Sequence, residues 1–196
     1  MSKLLSLLLI LLSAAGCAIA PLNSTTTART LGEGQNEARI NVIIPGAMVE
    51  RGITNDLDLG AGIEFQSTTV LNLFGKYGFI NDPKGGFSLA GLGGVGIGSG
   101  TKSVYAGPVL SYRHDWFEAF TVIRYNYVHW TNNISEDDKA DLLSFFPHKV
   151  NFSYSQVDVG VSYINEKAIM SLGMKVFALE KSNSSATPFF DIGFKF

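Results

Sequence analysis

The chain has 196 residues, enough for one domain or one closed barrel but too few for two domains of ordinary size. Charged residues make up 16% of the sequence, against about 25% in soluble proteins, and the mean hydropathy is positive, so the chain is not a disordered protein. The net charge of −2 without a cluster of Lys or Arg excludes a nucleic-acid-binding protein, and the single Cys excludes a disulfide scaffold.

The first 16 residues have the three-part layout of an export signal. Lys3 provides a positive start, residues 4–12 are almost entirely apolar, and residues 13–16 are small. No apolar run in the chain reaches the roughly 18 residues that a membrane-spanning helix needs. We therefore predict a signal peptide over residues 1–16, followed directly by Cys17.

Two cleavage sites compete at the end of this signal. Residues 14–17 read Ala-Ala-Gly-Cys and resemble a bacterial lipobox, which implies cleavage before Cys17 and lipidation of that residue. The alternative is the A-x-A pattern of residues 18–20, in which Pro21 would follow the scissile bond. The lipobox is favoured, which predicts a lipidated linker over 17–23 and a barrel over 24–196.

From residue 24 onward, apolar residues alternate with polar or small ones, a period of two that is typical of half-buried β-strands. Ten segments are predicted as strands: 24–31, 36–45, 56–65, 68–80, 87–98, 103–114, 118–131, 152–164, 168–179 and 186–196. Residues typical of turns separate them, which indicates an antiparallel up-and-down meander. The first segment has the weakest pattern, so eight or nine strands remain open while ten are favoured.

Residues 91–96 spell G-x-G-x-x-G, the pattern of a dinucleotide-binding turn. That turn must open a helix, and the Gly and Ser of residues 97–100 cannot begin one. The glycines are better explained as thinning a strand so that bulky side chains fit inside a barrel. His114, His129 and His148 are isolated from one another, so neither a metal nor a cofactor is predicted.

Residues 129–132 read His-Trp-Thr-Asn and are similar to the H-x-S-N segment of outer-membrane lipid A deacylases. The resemblance implies an acyl-ester hydrolase in which His129 is the base and Thr131 stands in the place of the nucleophilic Ser. Glu136 and Asp141 are candidates for the carboxylate that orients the imidazole. The alternative, which we favour, places His129 in an interfacial belt without a catalytic role.

The connection over residues 132–151 is the longest in the predicted meander. Ser135 followed by acidic residues is typical of a helix start. Counting back from the C-terminus places this connection outside the cell, where long loops of outer-membrane barrels lie. It is the predicted site for an extracellular partner.

A meander with one apolar face can close in two ways. A lipocalin-like soluble barrel has an apolar interior that binds or transports a small apolar ligand, whereas an outer-membrane barrel has an apolar exterior. The alternating Phe190, Ile192, Phe194 and Phe196 resemble the C-terminal signature that the barrel-assembly machinery of bacteria recognises. The polar face is sparse in charge, and aromatic residues gather near strand ends, as interfacial belts require. These are Tyr112, Trp116 and Phe117 at one rim, and Tyr125, Tyr127 and Trp130 at the other. An outer-membrane barrel with both termini in the periplasm is favoured over a lipid-anchored periplasmic one.

Inward positions of such a barrel carry charges of both signs. The cations are Arg39, Lys76, Arg113, Arg124, Lys175 and Lys195, and the carboxylates are Asp58, Glu64, Glu118, Asp158 and Asp191. Because an unpaired buried charge costs several kcal/mol, we expect an ion-pair network that plugs the narrow lumen. The predicted role is structural, or it is interaction with a partner at the cell surface, and outer-membrane lipids surround the barrel. A general porin is not predicted. The lipocalin-like and hydrolase alternatives stay open.

Overall fold

The computed structural model of the chain describes residues 20–23, 26–66, 68–82, 85–131, 149–179 and 184–196. Its strands are β1 (Asn36–Asn41), β2 (Gly46–Gly52), β3 (Leu57–Phe65), β4 (Thr69–Ile80), β5 (Gly86–Gly98), β6 (Thr101–His114), β7 (Phe117–Thr131), β8 (Lys149–Ile164), β9 (Ala168–Leu179) and β10 (Ser185–Lys195). Each strand pairs antiparallel with its neighbours in sequence, and β1 pairs with β10, so the sheet closes without an open edge. The predicted closed barrel of ten antiparallel strands is confirmed. Over the described ranges, no helix has the length and apolar character needed to cross a membrane.

Side chains alternate between an apolar exterior and an interior in which charged and polar residues accompany a buried apolar cluster that includes Phe74, Phe120 and Phe189. On β4, Leu71 and Leu73 are more than half exposed, whereas Asn72 between them is buried. On β9, Leu172 is 57% exposed and Lys175 is fully buried. A lipocalin-like barrel needs the reverse arrangement, because its exterior faces water and its interior holds the apolar ligand. That alternative is therefore wrong, and the barrel has the surface of one that spans a membrane.

One predicted strand is wrong and one strand was not predicted. Residues 26–31, the described part of predicted strand 24–31, belong to no strand and lie inside the barrel. Thr26, Thr27 and Ala28 are buried in succession, whereas a strand of the wall would expose every second residue. The tenth strand is β2 instead, because the chain reverses at residues 42–45, within a segment predicted as one strand.

The two rims of the barrel differ. At the end that holds the C-terminus, here called the Phe196 end, the backbone of Phe196 exchanges two hydrogen bonds with Asn36. Outward-facing aromatic rings gather there, and Tyr163 stacks on Trp116 with ring centroids 6.4 Å apart. The opposite rim, here called the Thr131 end, is where β7 ends and β8 begins. A band of aromatic side chains at a rim is what a barrel at a membrane surface requires.

The remaining terminal and rim residues divide between the two faces. Phe190, Ile192, Phe194 and Phe196 lie on the outward register of the last strand, and Phe196 is 71% exposed. Tyr125 and Tyr127 are exposed on β7, while Trp130 is half-buried on the inward register.

Residues 20–23 and 26–31 lie in the lumen, in order from the Thr131 end to the Phe196 end. The carbonyl of Ala20 accepts a hydrogen bond of 3.0 Å from the side-chain amide of Gln66, which follows β3 at the Thr131 end. The amide of Leu31 donates to Asp58 Oδ2 at 3.0 Å, near the start of β3 at the Phe196 end. The described residues thus begin at the Thr131 end and finish at the Phe196 end. The prediction that both termini are periplasmic stays a prediction, because residues 1–19 lie outside the described residues.

A tight reversal joins this segment to β1. Gly32 and Gly34 have φ angles of 88° and 78°, a left-handed region that glycine adopts without strain. Gly52 faces this reversal so closely that a Cβ atom there would lie 1.8 Å from the carbonyl oxygen of Gly32. The glycines therefore allow the chain to leave the lumen and enter the wall directly.

Candidate functional site: the occupied lumen and the outer rim

The lumen segment, described at residues 20–23 and 26–31, shares the barrel interior with buried side chains of the wall such as Phe74, Phe120 and Phe189. Its described residues from Ala20 to Thr30 are all buried. In this part of the structure no backbone-to-backbone hydrogen bond joins the segment to the wall. Hydrogen bonds that involve side chains, either of the wall or of the segment, therefore hold it in place. The hydrogen-bonded ladder of the barrel is complete without it.

The wall binds the backbone of the segment near the Thr131 end. Glu64 accepts hydrogen bonds from the amides of Leu22 and Asn23, at 2.9 and 3.0 Å. The carbonyl oxygen of Leu22 accepts from Lys175 Nζ at 2.9 Å and from Arg124 Nη2 at 3.1 Å. One carboxylate thus holds two successive N–H groups, and two cations hold the neighbouring carbonyl. Such charge-assisted hydrogen bonds are stronger than neutral ones.

Lys76 joins the segment to two carboxylates in the middle of the lumen. Its ammonium lies 2.9 Å from Glu50 Oε1 and 3.1 Å from Asp58 Oδ2. It also donates to Thr26 Oγ1 at 3.1 Å and to the carbonyl of Arg29 at 2.9 Å. All of these groups are buried, so Lys76 compensates charges that water does not reach.

A cavity of about 360 Å³ opens at the Phe196 end of the lumen. Arg29 lines it, donates to the carbonyl of Gly86 at 3.1 Å and lies 3.6 Å from Glu118 Oε1. Arg113 and Lys195 also line it and are half-buried. This vestibule is the part of the lumen that the segment leaves open.

All eleven residues of the predicted lumen network lie on the inner face of the wall. Nine are buried, namely Arg39, Asp58, Glu64, Lys76, Glu118, Arg124, Asp158, Lys175 and Asp191, while Arg113 and Lys195 are half-buried near the Phe196 end. Some pair with each other across neighbouring strands, as Lys175 does with Asp158 at 3.4 Å. Others, Glu64 among them, bind the lumen segment instead. The charges therefore hold a polypeptide as well as one another.

Three buried charges of the lumen were not among the predicted ones. Glu37 pairs with Arg39, Glu50 pairs with Lys76, and Arg29 belongs to the lumen segment. Glu37 stands two positions before Arg39 and shares its face, so the alternation itself contained the signal. Glu50 lies on the strand that was not predicted.

The glycine-rich residues 91–96 form part of β5, not a nucleotide-binding turn. A Cβ atom on Gly94 would lie 2.5 Å from the ring of Tyr105, and one on Gly96 would lie 2.4 Å from Pro21 Cγ. These two glycines make room for one bulky side chain of the wall and for the lumen segment.

A second polar arrangement lies on the outer surface at the Thr131 end. His129 Nε2 is 3.3 Å from Thr131 Oγ1, and His129 Nδ1 is 2.6 Å from Asn151 Oδ1. Asn151 lies directly opposite His129 in the pairing of β7 with β8. In the tautomer with its proton on Nδ1, the imidazole donates to Asn151 and can accept the proton of the Thr131 hydroxyl.

The remaining predicted residues are either outside the described part of the chain or at the other rim. Glu136, Asp141 and His148 lie outside the described residues, as do Ser135, the signal peptide and Cys17. His114 is exposed at the opposite rim, 3.1 Å from Asp115. Among the described residues, no cluster of His, Cys, Asp and Glu could hold a metal ion.

No protein family matches this sequence, and no curated protein matches it. Among solved structures, the chain is similar to the N-terminal β-barrel domain of Pseudomonas aeruginosa OprF, with 12% identity, a TM-score of 0.40, and coverage of 84% of this chain and 99% of that one. It is also similar to the KdgM porin in complex with disordered oligogalacturonate, with 9% identity, a TM-score of 0.40, and coverage of 83% and 98%. Likeness at this level supports no conclusion about function, and the fold assignment depends on the strand pairing described above.

Proposed function

We propose that the chain is a small lipoprotein barrel of the bacterial outer membrane, closed by its own lumen segment, with a structural or surface-interaction role. The observation that carries this proposal is the occupied lumen, in which Glu64, Lys76 and Arg124 bind the segment. The apolar exterior supports insertion in a membrane. A barrel filled in this way is not a general porin.

The orientation follows from the connections between strands. The longest one in the chain joins Thr131 to Lys149, and long loops of outer-membrane barrels lie outside the cell. The Phe196 end then faces the periplasm, where the barrel-assembly machinery would recognise the alternating residues from Phe190 to Phe196. The connection over 132–151 is the surface on which an extracellular partner would bind.

Heat-dependent mobility in SDS gels tests the membrane barrel. A closed barrel extracted from outer membranes keeps its ladder of backbone hydrogen bonds in SDS until it is heated. We expect unheated and heated samples to migrate differently, and the protein to fractionate with outer membranes. Identical mobility, together with solubility of a Cys17→Ser variant without detergent, would contradict the proposal.

The full chain should not conduct ions steadily in planar lipid bilayers. The lumen segment and the charged side chains that bind it occupy the path between the two rims. We expect a baseline close to that of the bare bilayer after insertion, verified by the gel shift of recovered protein. A wide and steady conductance of nanosiemens would show that the lumen is open.

The rim arrangement favours a second candidate function, the hydrolysis of acyl esters in the outer leaflet. Thr131 Oγ would attack the ester carbonyl while His129 Nε2 takes its proton and Asn151 holds the imidazole. The alcohol would leave with that proton, and water would then release the fatty acid from Thr131. The site faces outward at the rim, where lipid headgroups lie.

Substitution of His129 tests this hydrolase. If Thr131 depends on His129 as its base, His129→Asn should lower fatty-acid release from lipid A by about 10³-fold. Asn151→Leu should lower it less, because the imidazole would remain but lose its orientation. His114→Asn, at the opposite rim, is the matched control. Unchanged lipid A acylation in cells that carry His129→Asn would remove the hydrolase from consideration.

A further inference from the structure

We infer that the barrel conducts its own N-terminal end through the lumen, so that the residues before Ala20 emerge at the Thr131 end. With the orientation given in the proposed function, on which this inference rests, that end is the cell surface. A lipid on Cys17 would then insert into the outer leaflet of the membrane, on the side opposite to Phe196.

The direction of the lumen segment is fixed by contacts at both ends of one strand. Leu31 binds Asp58, near the start of β3, and Leu22 binds Glu64, near its end. At about 3.4 Å per residue, these two carboxylates are separated by roughly 20 Å along the strand. The segment therefore runs antiparallel to β3 and crosses most of the lumen, reaching the Thr131 end as its residue numbers fall.

The wall distinguishes this direction from its reverse. Glu64 accepts two N–H groups, whereas Lys175 and Arg124 donate to the carbonyl of Leu22. A reversed segment would turn carbonyl oxygens toward the carboxylate and N–H groups toward the cations. Both changes would remove charge-assisted hydrogen bonds from buried groups, which is costly. The wall thus selects a segment that enters β1 from the Phe196 end.

The chain before Ala20 has no short route back to the Phe196 end. The lumen beside it is already filled, and Pro21 lies against Gly96 of β5. The three peptide units from Cys17 to Ala20 span at most about 11 Å, whereas the apolar band of such a barrel is about 25 Å tall. On these lengths, the inferred position of Cys17 is on the side of the Thr131 end.

Two insertions of the same short epitope test the inference in the full chain. One is placed between Ile19 and Ala20, and the other follows Glu33, which is exposed in the reversal at the Phe196 end. We expect an antibody to reach the first epitope on intact cells and the second only after the outer membrane is permeabilised. The gel shift confirms that each variant has folded.

The pair of epitopes tests the path of the lumen segment and the orientation of the barrel separately. Both epitopes on one side of the membrane would overturn the threading. Epitopes on opposite sides but in the inverted order would support the threading and overturn the proposed orientation, and with it the surface position. Loss of both epitopes to the soluble fraction would overturn the membrane barrel itself.

A protease site in place of the first epitope tests where the lipid lies. Cleavage on intact cells should leave the short N-terminal fragment bound to the cells when Cys17 is present. The control carries Cys17→Ser behind an export signal that is cleaved without lipidation, and it should release the corresponding unlipidated fragment into the medium. Release from the chain that retains Cys17 would overturn the anchor in the outer leaflet.

Discussion

Replacing Lys76 with methionine should destabilise the folded barrel by roughly 3–5 kcal/mol, the usual cost of removing one partner from a buried ion pair. The ammonium lies 2.9 Å from Glu50 and 3.1 Å from Asp58, and all three side chains are buried. Without it, two carboxylates lose their compensating cation, and the lumen segment loses two hydrogen bonds. The midpoint of urea unfolding in lipid vesicles measures the effect.

The control for this substitution is Lys102→Met. Lys102 is exposed on β6, so the same change there should alter stability by about 0.5 kcal/mol or less. Adding Glu50→Gln and Asp58→Asn to Lys76→Met should recover most of the lost stability, since the uncompensated charges are then gone. If Lys76→Met were as stable as the Lys102 variant, the ion cluster would have no part in holding the barrel together.

Replacing Gly96 with valine should displace the lumen segment and so open the lumen. The pairing of the ten strands into a closed barrel should not change. A Cβ atom at this position would lie 2.4 Å from Pro21 Cγ, so the added side chain takes the space of the lumen segment. The segment makes no backbone ladder with the wall and can leave without breaking one. Steady conductance in planar bilayers, absent in the full native chain, is the expected result.

Gly93→Val is the matched control on the same strand. A Cβ atom there meets its nearest neighbour, the carbonyl oxygen of Tyr105, at 3.6 Å, an ordinary contact on the outer face. The lumen of this variant should stay closed to ions. A Gly96→Val barrel that shows the normal gel shift and remains closed would mean that the segment does not occlude the lumen.

The strands of the barrel wall were largely predictable, because apolar and polar residues alternate along a strand that has one face toward lipid. The segment predicted over 56–65 corresponds to β3 with its start displaced by one residue. β2 escaped prediction because it places Met48 inside and Arg51 outside, which weakens the contrast between its faces.

The lumen segment could not be separated from a strand by its pattern. Small and polar residues around Thr26 and Ala28 suit a strand edge and a narrow lumen equally well. A wall strand forms hydrogen bonds with the backbone of its neighbours, whereas the lumen segment forms them with side chains. The residues of one short segment do not determine which of these occurs.

The functional sites show the same limit. The alternation of side chains along each strand placed the charged residues on the lumen face. It could not identify which of them pair, because the register between strands depends on the turns. His129 and Thr131 share a face at a spacing of two, which the sequence contains. Asn151 enters the rim site only through the pairing of β7 with β8, across the connection that separates them in sequence.

The position of the lumen segment also constrains the order in which the barrel can assemble. The segment leads directly into β1, and β1 forms the final seam with β10. If that seam closed first, the N-terminal residues would have to be drawn afterward through a passage lined with ionised side chains. We therefore expect the sheet to wrap around the lumen segment, with the seam between β1 and β10 closing last. The lumen segment would then act as the template around which the barrel closes.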